Sequence, residues 1–393
     1  MNRYYVALLA LGAFVVGAAE LIVGGILKAI SEDLGISIAL AGQLITVFSL
    51  AFAIGTPIVI ALTSRIARKT MLIGSLVLFS AGSAIPLLSE QILTLFLSRV
   101  LVGLSAGVFT VVAFGAAAKL VPAERVGKAI GTIALGISCA MVVGIPLGIA
   151  LADWFGWRMI FAGLAVLSLA VLLLIARGFP RVEGDAAIPL MRQLAIVRNP
   201  ILLTGFCFSF FFSTSSSVMN SYVTPYLNSV LSMETAQVGY MMFVLGAFSV
   251  VGSRMGGQWT DRWGTSRTIY AGIAALVLTL AMLPPLAAWP AANLALLSIW
   301  MFAMAATIPA IQTYFVQQAP EVANLAISLN ASLLHLGVAV GAGIGGFAVN
   351  AAETPLYNPW AASAAAAISL TLVVLSVSLA KRSKAVSSAA PSR

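Results

Sequence analysis

Few side chains in this sequence can do chemistry, and where they stand matters more than how many there are. Glu20 lies inside the apolar run 4–27. A carboxylate stranded there costs several kcal/mol unless it is protonated, paired or facing water. The neutral acid tolerates a low-dielectric interface and the anion does not, so Glu20 is a candidate to bind and release a proton. The alternative is a static hydrogen bond that orients the first helix. Arg99 is the base placed within an apolar run. Its guanidinium stays charged and cannot itself carry the proton. It can favour the ionised form of a neighbouring acid such as Glu20, or tie backbone carbonyls between helices. His335, the only histidine, follows Asn330 in another apolar run. It can take a proton, bind substrate, or serve as a satisfied contact between helices. Asn220, Tyr222 and Tyr226 can hydrogen-bond to or stack on a ring, although tyrosines also mark membrane interfaces. Ser213 to Ser217, Gln43 and Asn330 are further polar groups that can line a cavity.

No catalytic constellation accompanies them. One histidine, no cluster of metal-ligand spacing and no Gly-x4-Gly-Lys-Ser/Thr loop argue against an enzyme, a metal, a cofactor or ATP as energy source. The proton-motive force is the remaining drive. Cys139 and Cys207 both fall in apolar runs and read as small filler, neither a disulfide framework nor a zinc site.

The elements that must position these residues follow from composition. The 393 residues are 61% hydrophobic and only 8% charged. So few charges cannot cover a soluble surface of this size. A bilayer core takes about 20 apolar residues per helix. The runs are continuous and not alternating, which excludes an outer-membrane barrel. Twelve spans are expected, at 4–27, 41–62, 70–88, 92–118, 129–151, 158–177, 200–222, 236–256, 268–288, 291–314, 325–349 and 358–380. The first is too long for a signal-peptide core. Of the 21 Lys and Arg, all but Lys28, Arg99 and Arg158 stand in alternate loops, at the termini, or in the stretch 178–199. The net charge of +9 therefore sets topology, with both termini cytoplasmic, and implies no nucleic acid.

The chain also repeats itself. Arg65 and Arg262 follow spans two and eight at an offset of 197 residues, half the chain. The expected organisation is a six-helix half at 1–177, a cytoplasmic linker at 178–199, a second half at 200–380 and a tail at 381–393. Parallel duplication of this kind is the architecture of many secondary transporters.

Five motifs carry a resemblance. Gly257-x3-Asp261-Arg262-x-Gly264 resembles the loop signature of the major facilitator superfamily, and Arg99-x3-Gly103-x3-Gly107 its fourth-span motif. Gly136, with Gly144-Ile-Pro146-Leu-Gly148, resembles the fifth-span motif of its antiporters. Asp153-Trp-Phe-Gly-Trp157-Arg158-Met-Ile-Phe161 is similar to an outer loop of its drug:proton antiporters. Glu20-Leu-Ile-Val-Gly-Gly-Ile-Leu, then Asp33-Leu-Gly-Ile-Ser and Ala41-Gly-Gln-Leu, is similar to the branch exporting purine bases and nucleosides, sugars and amphenicols. Two motifs depart from the pattern. Ser64 and Ala67 stand where the superfamily loop has Asp and Gly, and Ile145 is an extra residue between Gly and Pro in span five.

The resemblance implies an all-α membrane protein of the major-facilitator fold in the cytoplasmic membrane. It implies proton-coupled efflux of a small, largely neutral molecule, a purine base or nucleoside or an amphenicol-like drug, by alternating access. It gives proton coupling to Glu20 and Arg99, gating to Arg65, Asp261, Arg262, Gly144, Pro146 and Gly148, and leaves Gln43, Asn220, Tyr222, Asn330 and His335 as substrate candidates. Asp261 is expected to latch one half against the other. Gly337, Gly341 and Gly345 are expected only to pack closely. The partners are the substrate, protons and the lipid bilayer, and the chain is expected to act as a monomer. Proton-linked uptake of a sugar or nucleoside, and a transport-inactive receptor or scaffold of the same fold, are the alternatives. The short tail argues against the receptor.

Overall fold

The computed structural model describes residues 2–88, 90–122, 126–184, 198–319 and 323–389. Most of the expected linker, including Arg192, lies outside the described residues, as do Arg125 and Arg393. Among the described residues, twelve helices are long and apolar enough to cross a membrane. They are α1 (Arg3–Gly25), α2 (Ile38–Thr63), α3 (Arg68–Leu87), α4 (Ile92–Leu120), α5 (Ala129–Phe155) and α6 (Trp157–Gly178), then α7 (Pro200–Ser229), α8 (Thr235–Trp263), α9 (Thr265–Met282), α10 (Pro290–Gln318), α11 (Ala326–Ala352) and α12 (Pro355–Arg382). Helices suit such a chain because they satisfy every backbone polar group internally.

Local chemistry sets their ends. The Ser37 side chain accepts from the Leu40 N–H, Asn199 accepts from Ile201 N–H ahead of Pro200, and Glu234 forms a capping box with Gln237. Gly156 and Gly264, with φ of 84° and 87°, turn α5 into α6 and α8 into α9. The one-residue turn at Gly264 places Asp261 and Arg262 in the last turn of α8, not in the loop expected from sequence.

Two hydrophobic cores result. One gathers residues from Val6 to Val182 and borrows Tyr222 and Val349; the other gathers Leu202 to Val377 and borrows Ile145 and Ile149. The borrowed residues mark where the halves meet. Helices within each half cross closely at glycines: a Cβ on Gly103 would overlap the Phe48 carbonyl, and one on Gly256 the Ala306 carbonyl. The first pair joins α4 to α2, the second α8 to α10.

Contacts between the halves concentrate on α2 with α11 and on α5 with α8. Thr46 Oγ1 donates to the Ala339 carbonyl at 3.3 Å, and Thr224 Oγ1 to the Gly24 carbonyl at 2.7 Å. The segments 56–63 of α2 and 126–139 of α5 run toward the basic loops and make almost no contact with the other half. The bundle is thus closed at the end bearing the 26–37 and 353–357 connections, and splayed at the end bearing Arg65 and Arg262.

Candidate functional site: a cavity between the halves

A cavity of about 140 Å³ lies where the halves meet. Glu20, Leu21 and Ile45 line it from the first half, and Ser216, Asn220, Met242 and Val338 from the second. Two larger hollows lie elsewhere. An apolar one of about 410 Å³ sits beside Leu231, Met241 and Leu294, and one of about 820 Å³ lies among the ends of α8, α9, α10 and α12, beside Asp261 and Lys381. Neither is lined by Glu20, so the smaller cavity is the candidate site.

Glu20 Oε1 stands 3.8 Å from His335 Nδ1. This pair spans the halves, α1 supplying the acid and α11 the imidazole. Both side chains keep part of their surface open, 27% for Glu20 and 17% for His335. The His335 ring stacks on Phe52 of α2, with centroids 3.6 Å apart and planes 19° from parallel. Nδ1 has no hydrogen-bond partner. An acid and an imidazole at this separation reach hydrogen-bond distance by a small side-chain rotation, and can then pass a proton directly. The sequence offered His335 as a proton acceptor, a substrate ligand or an interhelical contact, but not its pairing with Glu20.

Arg99 does something different from the expected pairing with Glu20. It is 2% exposed and donates from Nη1 to the Ala19 carbonyl at 3.2 Å, while its guanidinium lies 4.9 Å over the Phe161 ring. The carboxylate next in sequence is not its partner. Arg99 therefore fixes the backbone that carries Glu20, which is the tie between helices that the sequence left open.

The substrate candidates separate. Asn220 lines the cavity. Tyr222 does not: it is fully buried between α2 and α11, with its hydroxyl donating to the Ala342 carbonyl at 3.1 Å. Gln43 bonds within its own helix, to the Ala39 carbonyl at 3.3 Å, beside Gly346 of α11. Both residues belong to the closure and not to the cavity wall. Tyr226 is buried in the second core and donates to Asn293 Oδ1 at 3.0 Å. Asn330 is 2% exposed, with its Oδ1 unpartnered, and does not reach the cavity. Ser213, Ser216, Ser217 and Asn220 share one face of α7, at i, i+3, i+4 and i+7, and all four line the cavity. Ser213 and Ser217, four apart, donate to the Leu334 and Val338 carbonyls of α11 at 2.6 and 2.8 Å. Ser216 donates within α7 instead, to the Phe212 carbonyl at 2.9 Å. A Cβ on Gly337 or Gly341 would overlap α7 backbone, so that glycine stripe packs closely as expected.

The extra residue in span five has a structural expression. A π-turn occupies Ala140–Gly144, directly before Pro146. One inserted residue is what a helix absorbs as such a bulge. Gly148 crosses α1 at Ile22, where a Cβ would overlap. Gly144 has room, its nearest neighbour being Ala18 Cβ at 3.5 Å, so it ends the π-turn and is not a contact. Span two repeats the device unannounced: a π-turn at Ala51–Gly55 precedes Pro57. Both sequences read Gly-x-Pro, at 55–57 and 144–146, and that recurrence was a usable signal. Both π-turns touch the other half, through Phe52 on His335 and through Met141, whose sulfur accepts from Ser249 at 3.5 Å.

At the basic end Asp261 and Arg262 are exposed and Asp261 forms no ion pair among the described residues, so the expected latch is disengaged here. Arg65 is likewise exposed. The segment after α6 covers its turn: the Arg68 N–H donates to the Val182 carbonyl at 2.8 Å, and Lys119 Nζ to the Glu183 carbonyl at 3.0 Å. At the closed end Asp33 accepts from the Trp157 indole at 3.1 Å and from Arg158. Two motifs read separately in the sequence thus form one contact.

Two six-helix bundles, parted at one end with a cavity where they meet, have the architecture of many secondary transporters. The model of the Major Facilitator Superfamily matches residues 9–342, and the chain belongs to that family. It is 34% identical over 345 residues to the uncharacterized MFS-type transporter YbcL of Bacillus subtilis, covering 88% of each chain. It is 28% identical over 377 residues to the inner membrane transport protein YdhP of Escherichia coli, covering 95% of this chain and 96% of that one. Among solved structures, a D-xylose-proton symporter superposes with a TM-score of 0.78 over 95% of this chain and 97% of the other, at 16% identity. A partially occluded, inward-open conformation of the xylose transporter XylE from E. coli gives 0.73 over 94% and 96%, at 15% identity. These likenesses bear on fold alone. The protein is a multi-pass membrane transporter and not an enzyme.

Proposed function

We propose that this transporter exports a small, largely neutral organic molecule in exchange for protons, across the cytoplasmic membrane. The observation that carries the reading is the placement of Glu20: the acid buried in span one faces the cavity and an imidazole of the opposite half. An exchanger needs a group whose protonation alters the balance between two orientations, since a ligand shifts an equilibrium only by its differential affinity. The basic end faces the cytoplasm, in line with the positive-inside rule, so the conformation described is the inward-open one. A proton reaching Glu20 from outside is carried inward and released as substrate enters from the cytoplasm. The cavity is lined by apolar side chains with a few hydroxyls and one amide, which suits a neutral ring compound. The motifs of spans one and five support a purine base or nucleoside, or an amphenicol-like drug.

Everted membrane vesicles test this. With an inside-acid gradient, vesicles holding the protein should accumulate at least one member of a panel of purines, nucleosides and amphenicols, and lose it when the gradient collapses. Accumulation that ignores the gradient for every compound on the panel would refute proton-driven export.

A further inference from the structure

We propose that His335, beside the cavity acid Glu20, is a second proton-binding residue, relaying protons between Glu20 and the open basic end, and that Phe52 is its positioning residue. This rests on the proton-coupled reading above and adds the route. The imidazole stands between two groups suited to its protonated form. Glu20 supplies a counter-charge 3.8 Å from Nδ1, and Phe52 presents the negative face of its ring at 3.6 Å. Among the described residues neither Glu20 nor Nδ1 of His335 has another polar partner. Arg99, the base within the first half's spans, is committed to the Ala19 carbonyl. Around α11, α2 brings Phe52 and Thr46, and α7 brings Cys207, Tyr222 and Tyr226, with both hydroxyls bonded elsewhere. From α10 comes Tyr314, bonded to Ser376; α12 brings no ionisable side chain between 358 and 380.

The step balances as a proton transfer. The O–H bond of neutral Glu20 breaks and an N–H bond forms at Nδ1, once a small rotation brings the two within hydrogen-bond distance, leaving a carboxylate beside an imidazolium. The imidazolium then gives its proton to water at the basic end, and the carboxylate is free for the next cycle. Because α1 and α11 belong to different halves, the relay exists only while they are closed together here. When they part, Glu20 keeps its proton and no continuous path leaks it.

His335 is the only histidine, so ring-labelled histidine gives one unambiguous imidazole signal in the full-length protein, its affinity tag free of histidine, in lipid nanodiscs. In wild-type protein the ring should gain its proton as the pH is lowered. Glu20→Gln, which removes the counter-charge, should weaken proton binding at the ring about tenfold or more. Phe52→Leu should weaken it severalfold while leaving fold and insertion intact. A ring that stays neutral throughout, or one that titrates identically in Glu20→Gln, overturns the relay. These readouts need no substrate. A failed vesicle experiment would therefore overturn the export reading while leaving the ring titration to stand or fall by itself.

Discussion

The closure at the non-basic end depends on a ring filling a slot made of glycines, and Gly42→Ala tests it. Tyr222 is fully buried between α2 and α11. A Cβ on Gly42 would overlap its hydroxyl and stand 2.6 Å from Cζ. The ring cannot swing aside, because Gly345 and Gly346 already approach so closely that Cβ atoms there would lie 2.7 Å and 2.6 Å from it. Its hydroxyl is held by the Ala342 carbonyl at 3.1 Å. The added methyl is therefore relieved only by moving α2 away from α11. Overpacking of this kind costs about 1–3 kcal/mol. Because the strain is felt only when this end is closed, the balance shifts toward its opening by about 5- to 150-fold. Spin labels on Glu32→Cys and Tyr357→Cys, both exposed, report the separation by double electron–electron resonance in a background lacking Cys139 and Cys207. Gly42→Ala should add a longer-distance population, and Tyr222→Leu placed on top should remove it. A folded Gly42→Ala protein with unchanged distances would refute the slot, as would a double variant that fails to recover.

Three further outcomes follow from the same structure. Asp261→Asn should lower transport without lowering thermal stability in the conformation described, since Asp261 is unpaired there; once engaged, a charge-assisted hydrogen bond contributes about 1.5–3 kcal/mol. Wild-type flux in that variant would make Asp261 an ordinary solvated charge. Asp33→Asn should lower the melting temperature modestly, by the loss of about 1 kcal/mol, because the exposed Arg158 pairing is weak but the Trp157 indole is buried. Calorimetry showing no change would mean the contact adds nothing. Single cysteines at 178–184, 257–267 and 381–389 should resist impermeant thiol reagents in intact cells, and efficient labelling from outside would invert the proposed orientation.

Much of the fold was legible because a bilayer imposes one length and one polarity on every span. Apolar runs, basic loops and the recurrence of Arg65 at Arg262 were sufficient for twelve helices. Side-chain partners were not legible, because helical periodicity says which residues share a face and not which helix that face meets. Opposite charge suggested Arg99 for Glu20, yet the guanidinium found a backbone carbonyl and a phenyl ring, and the imidazole from the other half faced the acid. Tyr222 looked available for substrate because it is polar and near a helix end; the glycines at 42, 345 and 346 that swallow it lie on two other helices. The serine run shows what was recoverable. Its spacing already puts Ser213, Ser216, Ser217 and Asn220 on one helix face, and all four line the cavity.

The central claim is that protonation of Glu20 drives transport. Glu20→Gln mimics the protonated form, so it should bind substrate and support downhill exchange yet lose accumulation against a gradient; Glu20→Asp should retain part of it. The direct measurement is flux of the compound found in the vesicle panel, in proteoliposomes with and without an imposed pH gradient, wild type beside Glu20→Gln. The account predicts gradient-driven accumulation in the wild type and none in the variant. If Glu20→Gln still pumps uphill in response to the gradient, the proton is carried elsewhere and the account is wrong.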